Sequence, residues 1–303
     1  MGEGVAGPDI AGLTKTHGSK NMHVYGRRQR LAVLLAAVAT VIACGGDSTV
    51  TDPSVTTPPP APAKVLLKDV VVDRLPSPFY HFDYDAAGTI TGVSYASGFT
   101  SYSVSYLGDR IRELRNDALG NHDRIVYAYD ADGRVAGVRY VDENGVTFTV
   151  NVYTYDGDRL TGVERSKRIA DGLVIDKTIA LSYWPDGNLR ELAEHRPKIE
   201  GFQDESSSVV AFEQYDTGLN VDGFGLTHDD FFDHFVLLPG VVLQKNNPRR
   251  ETRTGDGLTY VVDYTYTYDA QRPLTKRGDL LITGGTGEDV GRRIGIGSAY
   301  TYY

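Results

Sequence analysis

One short phrase, written several times over, restricts this chain more than anything else in it: tyrosines at alternate positions, an aspartate, a glycine turn and a short apolar strand. It reads Tyr129, Asp130, Asp132, Gly133, Val135, and again Tyr153, Tyr155, Asp156, Gly157, Leu160. Its Tyr-Asp position falls at Tyr84, Tyr106, Tyr129, Tyr155 and Tyr183, which stand 22, 23, 26 and 28 residues apart. Such a period holds two strands and two turns. Within a unit the side-chain periodicity is two, which excludes a helical solenoid.

Segment 146–155 shows the alternation, with Phe148, Val150 and Val152 on one face and Thr147, Thr149, Asn151, Tyr153 and Tyr155 on the other. Segment 260–268 repeats it with Tyr260, Val262, Tyr264, Tyr266 and Tyr268 on one side. Turns are expected at residues 131–133, 143–145, 156–158 and 185–187, where Gly supplies positive φ and Asp or Asn closes the loop with its own side chain. Neighbouring tyrosines can stack across strands, with rings buried and hydroxyls left wet at the rim. The fold expected is all-β, a long antiparallel meander of hairpins, strongly curved or barrel-like.

The pattern breaks after Leu192. Residues 193–208 are polar and irregular, and in 227–238 Thr227 can cap a helix, with Asp229 and Asp230 in its first turn and Phe231, Phe232, Phe235 and Leu238 at helical spacing. One short helix is therefore expected near 228–238, followed by a turn at Asn246, Asn247 and Pro248.

The N-terminus carries an address. Arg27, Arg28 and Arg30 precede an apolar run of 13 residues, 31–43, that is too short to span a bilayer and reads as a signal peptide. Val41, Ile42 and Ala43 before Cys44, the only cysteine, resemble a bacterial lipobox, so Cys44 is the expected lipidation site. Met22 is the expected start, with 1–21 an extension of the reading frame, 22–43 the signal peptide, 44–63 a disordered linker and 64–303 the folded domain. The linker is rich in Ser, Thr, Pro and Gly and cannot bury enough apolar surface to order itself. Lipidation at Cys44 would hold the protein at the cell envelope, at the outer membrane where Gly45 rather than Asp follows the cysteine.

Charge narrows the partners. The net charge is −9, and removing the first 43 residues, with five basic and two acidic side chains, takes it to −12. No Lys/Arg cluster lies outside the leader, so nucleic acid is not expected as a partner.

The units 127–138 and 153–163 resemble YD repeats of the Rhs and teneurin type, an aromatic strand followed by Tyr-Asp, Gly and Arg-Leu or Arg-Val. The later order, Tyr215-Asp216 with Asn220, a Phe-rich segment, Asn246-Asn247-Pro248 and then the alternating tyrosines to Asp269, is similar to bacterial YD-repeat lipoproteins with a porin-like all-β domain of unknown function. The resemblance spans about Tyr80 to the C-terminus. It departs from the pattern at Val221, where Pro is usual, and at Gln271, Arg272 and Pro273, where a Gly turn is usual. It implies a β architecture and brings no catalytic residues.

Chemical signatures are sparse. His228, Asp230 and His234 are the densest set of potential metal ligands, but no third-ligand spacing accompanies them and no metal is expected. Gly284, Gly285, Gly287 and Asp289 spell a single calcium-type nonapeptide, which needs tandem copies, so a hairpin loop is expected there. No cofactor is expected, and no nucleophile elbow is present. Aromatic faces make Trp184, Tyr183, Tyr264 and Tyr266 the candidate binding residues for a glycan or an envelope protein. The function expected is that of a monomeric, lipid-anchored envelope scaffold or binder. An envelope polysaccharide hydrolase, which needs two carboxylates facing each other, and a porin-like barrel are the alternatives.

Overall fold

In a computed structural model the described residues are 65–118, 120, 122–170, 172–223, 236–285 and 289–303. Sixteen strands run through them: β1 Leu67–Val72, β2 Tyr80–Tyr84, β3 Ile90–Tyr95, β4 Thr100–Leu107, β5 Arg110–Asn116, β6 Arg124–Tyr129, β7 Val135–Val141, β8 Thr147–Asp156, β9 Arg159–Ile169, β10 Gly172–Tyr183, β11 Leu189–Arg196, β12 Ser206–Glu213, β13 Arg250–Gly255, β14 Thr259–Asp269, β15 Arg272–Gly284 and β16 Arg293–Tyr302. Each pairs antiparallel with its neighbour in sequence, and β1 pairs with β16, so the meander closes into a barrel with no free edge. The curved, barrel-like expectation is met in its closed form. No helix occurs among the described residues. Most of the segment expected to be helical, 224–235, lies outside them, and Val236, Leu237 and Leu238 are not helical. The polar stretch 193–208 is less irregular than its composition suggests, since it holds the end of β11 and the start of β12.

The two faces differ sharply. Val70, Val93, Tyr102, Leu114, Ile125, Tyr140, Tyr153, Val163, Ile179 and Leu192 share one buried cluster. That face is the lumen. Phe212 on β12 lines one cavity together with Val70 on β1 and Tyr80 on β2, strands far apart in the closed order that can meet only across the interior. The outward face carries Ser103, Arg139, Glu164, Asp263, Arg277 and Asp279, all exposed in mid-strand. In segment 146–155 the face with Thr149, Asn151, Tyr153 and Tyr155 therefore points in, and Val150 and Val152 point out.

The Tyr-Asp phrase closes one end of this barrel. Six register shifts fall between the residue before the repeat tyrosine and Tyr84, Tyr106, Tyr129, Tyr155, Tyr183 or Tyr268. A bulge there adds twist and re-aims the ring inward. Asp130 Oδ1 then accepts from the backbone N–H of Asp132 and Arg134, and Asp85 does the same for Ala87 and Thr89. Gly133, at φ +84°, makes the reversal that an L side chain resists.

The tyrosine hydroxyls are not left to water. Tyr84 donates to the carbonyl of Leu67, Tyr106 to Ile90, Tyr129 to Ile111, Tyr155 to Val135 and Tyr183 to Leu160, at 2.6–2.9 Å. Tyr215, Tyr266 and Tyr302 continue the ring onto Leu189, Pro248 and Pro273. Each bond ties an even-numbered strand, or the residues flanking it, to the strand before it, at the end opposite the turn that joins them. Arginines finish the unit: Arg110 lies over Tyr129, Arg134 over Tyr155, Arg159 over Tyr183 and Arg272 over Tyr302. The residue after each of those arginines supplies the carbonyl for the same tyrosine. The Arg-Ile, Arg-Val and Arg-Leu pairs of the repeat thus hold the next unit's ring from above and by its hydroxyl.

The connection from β12 to β13 departs at this end and turns into the lumen. Val221, Val236, Leu238 and Val241 pack against the core, and Leu237 and Leu243 are buried in it. Tyr127 holds Leu237 by both backbone groups, at 2.9 and 3.1 Å. Asn246 and Asn247, expected in a turn, donate instead to the carbonyls of Gly218 and Leu219, and Leu219 pairs with Asn246 in a bridge. The described residues of this connection also line a cavity of about 240 Å3, among them Val221, Val236 and Leu238.

Candidate functional site

The opposite end is built differently. On β9 and β10 it buries Arg165 and Asp176, joined in a bidentate pair at 2.7 and 3.1 Å. Beside them, β10 to β14 wall a cavity of about 550 Å3, within the size range of small-molecule sites, about 300–1,000 Å3. Its floor is Ile179, Leu192, Val210 and Phe212. Its lip is the β13–β14 turn, Asp256, Gly257 and Leu258, all exposed.

The polar wall comes from strand alternation. On β13 Glu251 and Arg253 point inward, opposite Phe212 and Val210 of β12. On β11 Glu194 and Arg196 do the same and pair with each other at 2.5 Å. Glu251 accepts from the hydroxyls of Tyr260 and Tyr264, at 2.8 and 2.9 Å. Burial first, then the charge of Glu251, raises both phenols above their ordinary pKa. Both stay protonated donors, the wrong state for a tyrosine nucleophile. Arg253 donates to the carbonyls of Asp256 and Leu258 and so holds the lip in place. Ser206 and Ser208 also line the cavity.

Deeper in, a second cavity of about 210 Å3 shares Phe212 and Glu251 with the first. Asp222 enters it from the β12–β13 connection and pairs with Lys276 at 3.0 Å, while Tyr300 donates to the same oxygen at 2.8 Å. Burial by itself would raise the pKa of Asp222, but Lys276 and the donors Tyr300 and Asn220 outweigh it and hold the carboxyl below its ordinary value. Both side chains touch the cavity and keep some accessible area, although they lie inside the barrel.

The candidate binding aromatics are dispersed. Tyr183 and Tyr266 belong to the hydroxyl ring, and Tyr264 is buried against Glu251. Trp184 stands at the tyrosine end, 37% exposed, with its indole N–H on the Phe212 carbonyl and Arg190 over its ring. They form no common face. Cys44 and the candidate metal ligands His228, Asp230 and His234 lie outside the described residues, and no group of three or more metal-ligating side chains occurs among those described. Besides Asp256 at the lip, the carboxylates brought to this cavity are Glu194 and Glu251, neither of which the repeat points to. Their signal was the alternation Glu251-x-Arg253 and Glu194-x-Arg196, readable only once β11 and β13 are recognised as strands.

No family model matches the sequence and no curated protein matches it, so the YD-repeat resemblance gains no support there. Among solved structures the chain is similar to a porin-like protein from Bacteroides uniformis ATCC 8492, at TM-score 0.49 and 15% identity over 79% of this chain and 95% of that one. It is likewise similar to a porin-like protein from Bacteroides vulgatus ATCC 8482, at TM-score 0.47 and 15% identity over 74% and 92%.

Proposed function

We propose that this chain is a cell-envelope binding protein, tethered through Cys44, whose closed barrel stands in water and presents the cavity at its open end to a glycan or protein of the envelope. The barrel shares the closed architecture of the porin-like alternative. The observation that carries the proposal is its polarity, charged outside and filled with apolar and tyrosine side chains inside. A transmembrane barrel needs strands of about 9–11 residues with an apolar outer band. Here β1, β2, β3, β6 and β13 have 5 or 6 residues. Arginines on a lipid face cost about 2–4 kcal/mol each at the bilayer midplane, and Arg139 and Arg277 would both be placed there. A second reading, hydrolysis of an envelope polysaccharide, is favoured by Glu194 and Glu251 sharing one cavity.

The test is the full-length chain carrying Cys44→Ser. It is expected in the soluble fraction without detergent and silent in planar bilayers. Retention in the membrane through an alkaline wash, or stepwise conductance, would overturn the proposal. Release of reducing ends from envelope polysaccharide, lost in Glu251→Gln, would replace binding by hydrolysis.

A further inference from the structure

We infer that the cavity at the open end receives the terminal residues of a carbohydrate chain, an inference that rests on the non-inserted barrel proposed above. The chemistry of the lining selects the ligand. Glu194, Glu251 and Asp256 stand against Arg196 and Arg253, one negative charge in excess, which disfavours phosphates, nucleotides and polyanions. The floor of Ile179, Leu192, Val210 and Phe212 is apolar, but its walls are ionic, so an acyl chain would strand buried polar groups.

A pyranose matches this mosaic, because its hydroxyls both donate and accept while its C–H face is apolar. Glu251 uses each oxygen for one tyrosine and keeps lone pairs for sugar hydroxyls. Ser206 and Ser208 line the cavity with hydroxyls that both donate and accept, as a sugar hydroxyl requires of its partners. Phe212 and Glu251 line both this cavity and the inner one. The cavity lies against the inner wall of a closed barrel with the β13–β14 turn as its lip, so a chain enters it by its tip.

The experiment uses the full-length Cys44→Ser protein. Neutral hexose, N-acetylhexosamine and uronic-acid oligosaccharides with free or capped non-reducing ends are titrated calorimetrically, with a lysine-rich peptide and inorganic phosphate as competitors in class. Saturable binding of at least one free-ended oligosaccharide is expected, lost on capping. Glu251→Gln, which keeps one acceptor oxygen and sets an amide donor in place of the other, should weaken it about tenfold. Ser208→Leu should fill the cavity and abolish it, and Ser206→Leu, nearer the rim, serves if the first variant does not fold. No saturable sugar binding by a soluble, folded protein, binding indifferent to these variants, or preference for the peptide overturns the inference and leaves the non-inserted barrel standing. Membrane insertion of Cys44→Ser overturns the reading beneath it and the inference together.

Discussion

The two ends of the barrel are stabilised by different chemistry. At the tyrosine end the repeats draw on the same small parts: a bulge and a hydroxyl on a carbonyl, joined in several of them by an Asp-closed turn or an arginine over a ring. No single part contributes much, since a hydrogen bond adds about 0.5–1.5 kcal/mol and an exposed cation–π contact about 0.5–1 kcal/mol. At the open end a few charged groups are buried in mutual pairs, and the space between them stays open. A repeated local device can seal an end and tolerate losses. A site needs distinct groups in one place, and those are individually costly to disturb.

Asp176→Ala tests this contrast most severely. Arg165 and Asp176 are only 3% and 2% exposed, and stranding one member of such a pair costs about 3–5 kcal/mol. Chemical denaturation should show a loss of that size, with the open end the first to gain hydrogen exchange.

Asp222→Ala should come next, at roughly 3 kcal/mol, the low end for a buried pair because the inner cavity hydrates it in part. Its pH dependence has a definite sign. Asp222 is depressed below 3.8, so its contribution is full above that value and lost as pH falls through the native pKa. Burial lowers the pKa of Lys276, but Asp222 more than restores it and leaves it above 10.5, so the amine's contribution is full below 10.5 and lost as pH rises through the native value. Wild-type stability should therefore exceed that of Asp222→Ala by a constant amount from about pH 5 to 9, with the gap closing at both extremes. A gap that narrows inside that window would contradict the pair's role.

Gly133→Ala should cost about 1–2 kcal/mol through its φ of +84°, read as a lowered melting temperature with binding at the open end unchanged. The smallest effect is expected from Tyr155→Phe, about 1 kcal/mol for the lost bond to Val135. Combined with Tyr84→Phe, several strands away, it should add within about 0.5 kcal/mol. Strong coupling between them would mean that the ring acts as one unit and not as repeats.

Much of the tyrosine end is legible in the sequence. Tyr129-Asp130 through Gly133 and Val135 specify a strand, a turn and a strand by local rules. The hydroxyl acceptors are not legible, because Ile111 and Val135 lie 18 and 20 residues before their tyrosines and nothing local says which carbonyl will stand opposite. The ring's later members, Tyr215, Tyr266 and Tyr302, are hidden by the long connection that interrupts the period. Tyr264 and Tyr266, candidate binding rings by sequence, turn inward with the rest of the ladder, Tyr264 onto Glu251 and Tyr266 onto Pro248. Glu194 and Glu251 share a cavity only through the sheet, since their strands, β11 and β13, are separated by β12 and register sets Glu194 opposite Ser208 and Glu251 opposite Phe212.

The sequence by itself determined the strands, the turns and which side chains share a face, since a period of two and the conformations open to Gly and Asp act over a few residues. Only the tertiary structure decided that β16 returns to β1, that the tyrosine face turns inward, that residues 236–243 pack into the lumen, and that five charged side chains line one cavity. Those outcomes depend on register and curvature summed over sixteen strands, quantities to which each residue contributes slightly and which none encodes alone.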